Sequence, residues 1–545
     1  MTPRRRTAPP AVVGVLPRMG TPGSRSAELH ERPAGGATRV RASISELNRF
    51  SLLRWLGVVG TLLMGLGGLG GGALPVVGNP YGQLPGGAFM GRMLQTSSAI
   101  VLLGIGLLVT AWVFMAPFVG AGRAPARVST GALLRTFVAW VIPLALTAPL
   151  FTQDIYSYLA QGSIVRQGLD PYAAGPVEIL GTENHLARSV PFIWAHSPSP
   201  YGPVALGVAA AISRVTGDSI ILGVLAHRAV SLAGIAAALW AVIALSRRCG
   251  VATTAAVWLG FLNPLTLLHL IGGIHNEALL LGFVLVGLEL GLRGIDALDS
   301  SPRRAAGLVA VSGALISCGG MVKVTGFIAL GFVGMMLARA LRPRFGPWAL
   351  GAAAAVQAVL LIASVVAASL ATGIGLGWVT GQGGAATIRS WLSATTDLGV
   401  ISGWVGMLLG LGDHTDAMMT FTRGIGLVVA AAFMARMLWA TYRGTIHPVG
   451  GLGVATLVLV VLFPVVHPWY PLWAILPLAA WANRFAFRAV VAAYSATFSF
   501  LVLPRGLALP PGTVLTIYTS AAACFAVLAG LAWLWYLRRG RRILN

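Results

Sequence analysis

The stretch Thr152-Gln-Asp-Ile-Tyr-Ser-Tyr158 puts a carboxylate, Asp154, directly behind an apolar run that ends at Phe151. Tyr156, Tyr158 and Tyr172 around it favour the boundary between lipid and water, so the segment reads as lying at a membrane surface. A carboxylate held there can take a proton from a hydroxyl, or can simply cap the start of a surface helix. Comparable punctuation recurs along the chain. Trp194-Ala-His196 leads into Ser199-Pro-Tyr201-Gly-Pro203, and Ile274-His275-Asn276-Glu277 interrupts two apolar runs. Lys323 follows a glycine pair, Arg389 stands in a Gly- and Thr-rich stretch, and His467-Pro-Trp469-Tyr470 separates two further runs. Each has a plain structural alternative: Asn276 capping a helix with Glu277 in its first turn, Lys323 snorkelling from a helix end, His467 satisfied in a proline-rich connection. Lys323 is the only lysine in the chain, so it does not read as one more topology marker among the arginines.

The elements that must position these residues follow from composition. With 545 residues, 56% hydrophobic, only 10% charged and a mean hydropathy of +0.81, the chain reads as an all-α polytopic integral membrane protein. A formal charge of +23 would suggest nucleic acid in a soluble chain, but here the arginines sit between apolar runs as topology signals, and no nucleic acid is expected. Cys249, Cys318 and Cys524 lack metal or disulfide spacing and read as packing residues; no metal and no cofactor are expected. Residues 1–48 read as a disordered basic cytoplasmic tail that grazes anionic lipid, and 49–540 as one transmembrane unit.

Apolar runs at 52–74, 97–120 and 131–151 are each long enough to cross a bilayer, for which roughly 20 residues are needed. Arg123, Arg127 and Arg135 place the second connection in the cytoplasm. The segment 152–218 is then extracytoplasmic, with a short helix at 203–216 lying on the surface, followed by crossings at 219–246 and 251–271. The region 305–338 is too long for one crossing and suits two helices meeting near Lys323. A second outer segment spans 372–416. The later runs bring the total to about fourteen transmembrane helices, with both termini cytoplasmic, in the plasma membrane.

On that topology Asp154, His196, His275, Asn276, Glu277, Lys323, Arg389 and His467 all fall on the outer side. A site there, open to water above and lipid at the side, suits a lipid-borne phosphorylated substrate. The ordered motifs Gln153-Asp154, Gly168-Leu-Asp-Pro-Tyr172, Ser199-Pro-Tyr-Gly-Pro203, Ile274-His-Asn-Glu277 and His467-Pro-Trp-Tyr470 resemble the GT-C membrane glycosyltransferases. More narrowly they are similar to the actinobacterial polyprenol-phosphomannose-dependent α-1,6-mannosyltransferases of lipomannan synthesis.

The resemblance implies a GT-C-like fold and transfer of mannose, with inversion, from polyprenyl-phosphate-mannose to a lipid-anchored mannoside. It implies Asp154 as general base. Relatives often carry two adjacent acids where this chain has Gln153 before Asp154, which argues against a metal-binding pair. Lys323, Arg389 and His467 are candidates for the donor phosphate. Tyr156, His196, Tyr201, His275, Asn276, Glu277, Trp469 and Tyr470 are candidates for substrate contacts. Lys323 has a second reading, an internal ion pair with Glu277 or Asp154. A transporter or flippase is the rival class, disfavoured because the ionisable groups gather at one face instead of the bilayer midplane; a structural scaffold is disfavoured by the same cluster.

Overall fold

A computed structural model describes residues 42–122, 125–381 and 389–543. Most of the expected tail, together with Arg123, lies outside the described residues. The first helix begins inside the tail's expected limit of 48: Ser43 accepts from the Glu46 amide, and the Glu46 carboxylate accepts from the Ser43 amide, a reciprocal cap that starts α1 (Ile44–Gly71). Helices α2 (Gly87–Gly91), α3 (Leu94–Met115) and α4 (Thr130–Leu146) follow. Helices α1 and α3 lie backbone to backbone at Gly60 and Gly104: a Cβ on either would come within 2.6 Å of the other's carbonyl oxygen. Small residues let helices approach this closely in a membrane.

The next part is built from α5 (Asp154–Arg166), the short α6 (Pro176–Leu180) and α7 (Phe192–Ala195), α8 (Pro203–Thr216) and α9 (Ile220–Arg248). The helix expected at 203–216 is α8. Gly162 lets α5 rest on it, since a Cβ there would sit 2.4 Å from the Ala209 oxygen.

The run expected to cross at 251–271 is broken. Helix α10 (Thr253–Gly260) stops, Asn263 receives the Leu265 amide at 3.0 Å and donates to Leu259 O and Ser495, and the chain resumes after Pro264 as a π-helical segment, Thr266–Gly272. An Asn-Pro pair favours a turn because Asn closes a local side-chain bond and proline has no amide to give.

Helices α11 (Glu277–Asp296), α12 (Pro302–Val322), α13 (Ile328–Phe345) and α14 (Ala349–Thr372) continue the body. The break between α12 and α13 falls at Lys323, as expected from the length of that region. Beyond α15 (Gly377–Thr380) come α16 (Ala394–Leu408), α17 (Thr415–Arg443), α18 (Pro448–Leu462), α19 (Leu472–Trp481), α20 (Phe485–Phe498) and α21 (Pro511–Ile543).

A single apolar core joins most of these helices. At its centre Trp112 and Trp258 stack 5.0 Å apart, and each indole N–H donates to the other's backbone carbonyl. A smaller cluster around Ile155, Tyr156, Tyr158 and Leu159 seats α5 beneath the loops. Leucines and valines on α14, α17 and α21 face outward, as lipid-facing surfaces do.

The helices confirm only part of the expected count of about fourteen spans. Eight apolar stretches among the described residues are long enough to cross, one of them the α13–α14 pair. Helices α4, α18, α19 and α20, expected as crossings, have only 10–17 residues. Proline bounds two of them: Pro464 follows the C-cap of α18, stopping it short of the expected run, and Pro471 stands just before α19. Cys249 and Cys318 are partly buried, as packing residues should be, whereas Cys524 is exposed on α21.

Candidate active site

Asp154 is the first residue of α5, but its side chain does not cap the helix; the N-cap position is Gln153, with no side-chain capping bond. The Asp154 amide instead donates to Thr152 Oγ1 at 3.1 Å. Freed from capping, the carboxylate Oδ1 accepts from Trp194 Nε1 at 2.9 Å, and Oδ2 lies 3.6 Å from His275 Nδ1. Its side chain is 24% exposed, enough to meet a substrate hydroxyl.

Two strained turns deliver this pair. Phe151, three residues before Asp154, has φ of 68°, and Ile274, next to His275, has φ of 58°. A side-chain-bearing residue in the left-handed region costs on the order of 1–3 kcal/mol and persists only where neighbours hold it. Here Leu150 donates to Gly272 O at 3.1 Å, Phe151 donates to Pro504 O at 2.7 Å, and Ala73 donates to Pro149 O at 2.8 Å.

Trp469 forms the wall behind His275. Its ring stacks on His275 at 4.1 Å, His467 at 4.7 Å and His269 at 4.7 Å. Burial pushes His275 below the usual imidazole range, with the carboxylates of Glu277 and Asp154 opposing. Burial also takes His467 down to about 4, against the pull of Asp154. Both rings are therefore neutral near pH 7, donating or accepting hydrogen bonds but contributing no positive charge.

Lys323 already has a carboxylate partner. Its Nζ donates to Glu277 Oε1 at 2.8 Å and to the Tyr470 hydroxyl at 3.2 Å, and lies over the Tyr470 and Trp473 rings at 4.2 and 4.6 Å. Of the two sequence readings, the internal pair with Glu277 is the arrangement observed. Asn276 occupies the N-cap of α11 without a side-chain capping bond and lines a water-sized cavity with His227, Ser231 and His275. The buried Nε2 atoms of His275 and His227 are without hydrogen-bond partners.

Three expected contacts fall elsewhere. Tyr156 is completely buried, with its hydroxyl donating to Ala73 O at 2.8 Å, so it has no surface to offer a sugar. His196 pairs with Glu178 on the loop surface, although its neighbour Trp194 reaches Asp154. Arg389 pairs with Asp416 at 2.9 Å, both exposed. Arg389 is nevertheless brought towards the aromatic wall, because the next residue, Ser390, bonds both the amide and the carbonyl of Val466, beside His467.

Sequence reasoning missed four neighbours. Tyr158 lies one helical turn beyond Asp154 and meets Tyr201 edge to face at 5.4 Å, so the (i, i+4) spacing could have found it. His269 and Arg228 are ionisable groups within apolar runs, itself a functional signal. Trp194 had no such signal, since its bond to Asp154 crosses 40 residues of sequence. Among the described residues no three His, Cys, Asp or Glu side chains converge as a metal site would need.

A multi-pass helical body, with a part-exposed carboxylate hydrogen-bonded by an indole and facing an imidazole beside a stacked aromatic wall, is an architecture suited to a membrane-embedded group-transfer enzyme. Residues 54–339 match the family model described as alpha-(1->6)-mannopyranosyltransferase, N-terminal domain, and 395–530 match the MptB C-terminal domain. An alpha-(1->6)-mannopyranosyltransferase B from Corynebacterium glutamicum is 61% identical, over 96% of this chain and 92% of its own length. An alpha-(1->6)-mannopyranosyltransferase from Mycobacterium tuberculosis is 41% identical, over 83% of this chain and 82% of its own. An oligosaccharyltransferase structure from Archaeoglobus fulgidus aligns at a TM-score of 0.37 with 12% identity, over 71% of this chain and 53% of that one, a distance at which nothing carries over. The chain belongs to the alpha-(1->6)-mannopyranosyltransferase family.

Proposed function

We propose that this protein transfers mannose from polyprenyl-phosphate-mannose to a lipid-anchored α-1,6-mannoside, on the outer face of the plasma membrane, in the early steps of lipomannan core synthesis. The observation that carries the reading is the Asp154 carboxylate, part-exposed, hydrogen-bonded by Trp194 and facing His275. The names of the relatives supply the sugar and the linkage.

Asp154 takes the proton from the acceptor hydroxyl, whose oxygen attacks the anomeric carbon of the mannose from the side opposite the phosphate. The new glycosidic bond forms as the carbon–oxygen bond to phosphate breaks, inverting that centre, and the polyprenyl phosphate departs with the bonding pair. Trp194 aims the carboxylate, and a directed base of this kind contributes ~10²–10⁴ in rate.

The leaving phosphate needs donors or positive charge. Arg389 is suited to it because its present partner, Asp416, is exposed and easily exchanged. His467 offers a neutral N–H. Lys323, engaged with Glu277, contributes its field and holds Tyr470 in the wall. Tyr470 and Tyr201, both partly exposed, are suited to sugar contacts, whereas Trp469, expected as a substrate contact, is buried with its ring stacked on three imidazoles and backs the site instead.

The test is purified protein with radiolabelled polyprenyl-phosphate-mannose and a short α-1,6-mannoside. Labelled product from wild type, abolished in Asp154→Asn, is expected. Lipid movement across vesicles without sugar transfer would replace this reading with a flippase.

A further inference from the structure

Helix α9 carries a cation where an apolar helix should not. Arg228 is 1% exposed, and a charge in such a helix needs compensation. Its partners are four backbone carbonyls instead of a carboxylate. Nε donates to Ile271 O at 3.3 Å and Nη2 to Gly272 O at 3.4 Å, while Nη1 donates to Ala145 O at 3.2 Å and to Thr147 O.

These four oxygens belong to two chain ends. Ala145 and Thr147 close α4, and Ile271 and Gly272 close the π-helical segment. Carbonyls at a helix C-terminus lack intrahelical partners and form the negative end of the helix dipole, so a guanidinium between two such ends satisfies both. From one end the chain passes through Phe151, in the left-handed region, to Asp154. From the other it passes through Ile274, also left-handed, to His275. Gly272 O is shared between Arg228 and the Leu150 amide, which ties the two ends directly. One turn along α9, Ser231 donates to Leu270 O at 3.0 Å and extends the same clamp.

We propose that Arg228 is a positioning residue for the Asp154–His275 pair, its guanidinium joining the two chain ends from which the carboxylate and the imidazole are hung. The proposal rests on the reading of Asp154 as general base. Arginine suits the role because its planar fork offers five N–H donors in fixed directions, while a lysine offers three from one point on a flexible stem.

The experiment compares wild type, Arg228→Lys, Arg228→Met, Asp154→Asn and Arg228→Lys with Asp154→Asn. Each is purified in detergent and assayed for mannosyl transfer per folded molecule, well below its own unfolding temperature. A misplacement of about an ångström at a reacting centre costs up to about 100-fold. Arg228→Met is therefore expected to lose 10- to 100-fold in kcat, at KM values within about twofold for both substrates, with Arg228→Lys recovering part of the loss.

In the Asp154→Asn background, Arg228→Lys is expected to cost nothing further, since it acts through the missing base. Wild-type kcat in the folded variants, with only the unfolding temperature lowered, overturns the proposal and makes Arg228 a stability residue. If Arg228→Met does not fold, Arg228→Lys and the double variant decide it on the same terms. Full turnover by Asp154→Asn alone overturns the base reading instead, a result separate from any behaviour of Arg228.

Discussion

Replacing Lys323 by methionine separates the fold's need for this ammonium from the substrate's. Glu277 is 4% exposed and has Lys323 as its ion-pair partner at 2.8 Å. Removing one member of a buried pair strands the other and costs ~3–5 kcal/mol. The Lys323 side chain is 25% exposed, so water can reach the stranded carboxylate and the cost falls to the lower end, about 3 kcal/mol. Loss of the contacts with the Tyr470 and Trp473 rings adds ~0.5–1 kcal/mol. Replacing Glu277 by leucine as well removes both charges, and apolar substitutes for a buried pair are often neutral. Thermal unfolding in detergent should rank wild type and Lys323→Met/Glu277→Leu together and Lys323→Met well below them. Retention of radiolabelled donor, measured on the same preparations, should fall less than tenfold in Lys323→Met. Unchanged thermal stability together with lost donor binding would refute the argument and make the donor phosphate the true partner of Lys323.

Asp154→Asn should lower turnover by ~10²–10⁴ while leaving donor binding intact, read by comparing kcat with donor retention. Trp194→Phe keeps the ring but not the N–H to Asp154, and about tenfold slower transfer is expected, from the ~1.5 kcal/mol of a hydrogen bond to a charged acceptor. His467 titrates at about 4 when folded, below the usual 6.5, so the unfolded chain binds more protons between those values. Its contribution is complete above pH 6.5 and lost as pH falls towards 4, and His467→Phe should flatten unfolding temperature against pH in that window. For topology, an impermeant thiol reagent applied to intact cells should label Glu183→Cys and not Asp299→Cys, in a background with Cys524→Ser; both acidic side chains are more than 90% exposed. The reverse pattern would invert the orientation.

What could be read from the sequence was whatever interrupted an apolar run. The glycine pair before Lys323 marked the break between α12 and α13, and Pro203 with Gly217 bounded α8. The motifs around Asp154, His275 and His467 stood out because charge and proline are conspicuous among leucines, and the structure gathers them around Trp469. Arg228 and His269 were overlooked for the opposite reason, being single polar residues inside runs that otherwise read as plain spans. Their partners are carbonyls and ring faces brought in by packing, which no local pattern encodes. The misread of 251–271 as one helix has the same origin: hydropathy reports burial, and the turn at Asn263 is fully buried.

Lys323 has one more consequence, for observation. As the only lysine in the chain it carries the only ε-amine, and a quarter of its side chain is open to solvent. Reductive methylation with ¹³C-formaldehyde, which keeps the positive charge, would give a single side-chain resonance in a protein of 56.5 kDa otherwise crowded with overlapping aliphatic signals. That resonance lies over two aromatic rings, whose ring currents displace it, so its chemical shift would register any movement of Tyr470 or Trp473. Titrating donor and then acceptor would follow the aromatic wall through binding from one line in a spectrum.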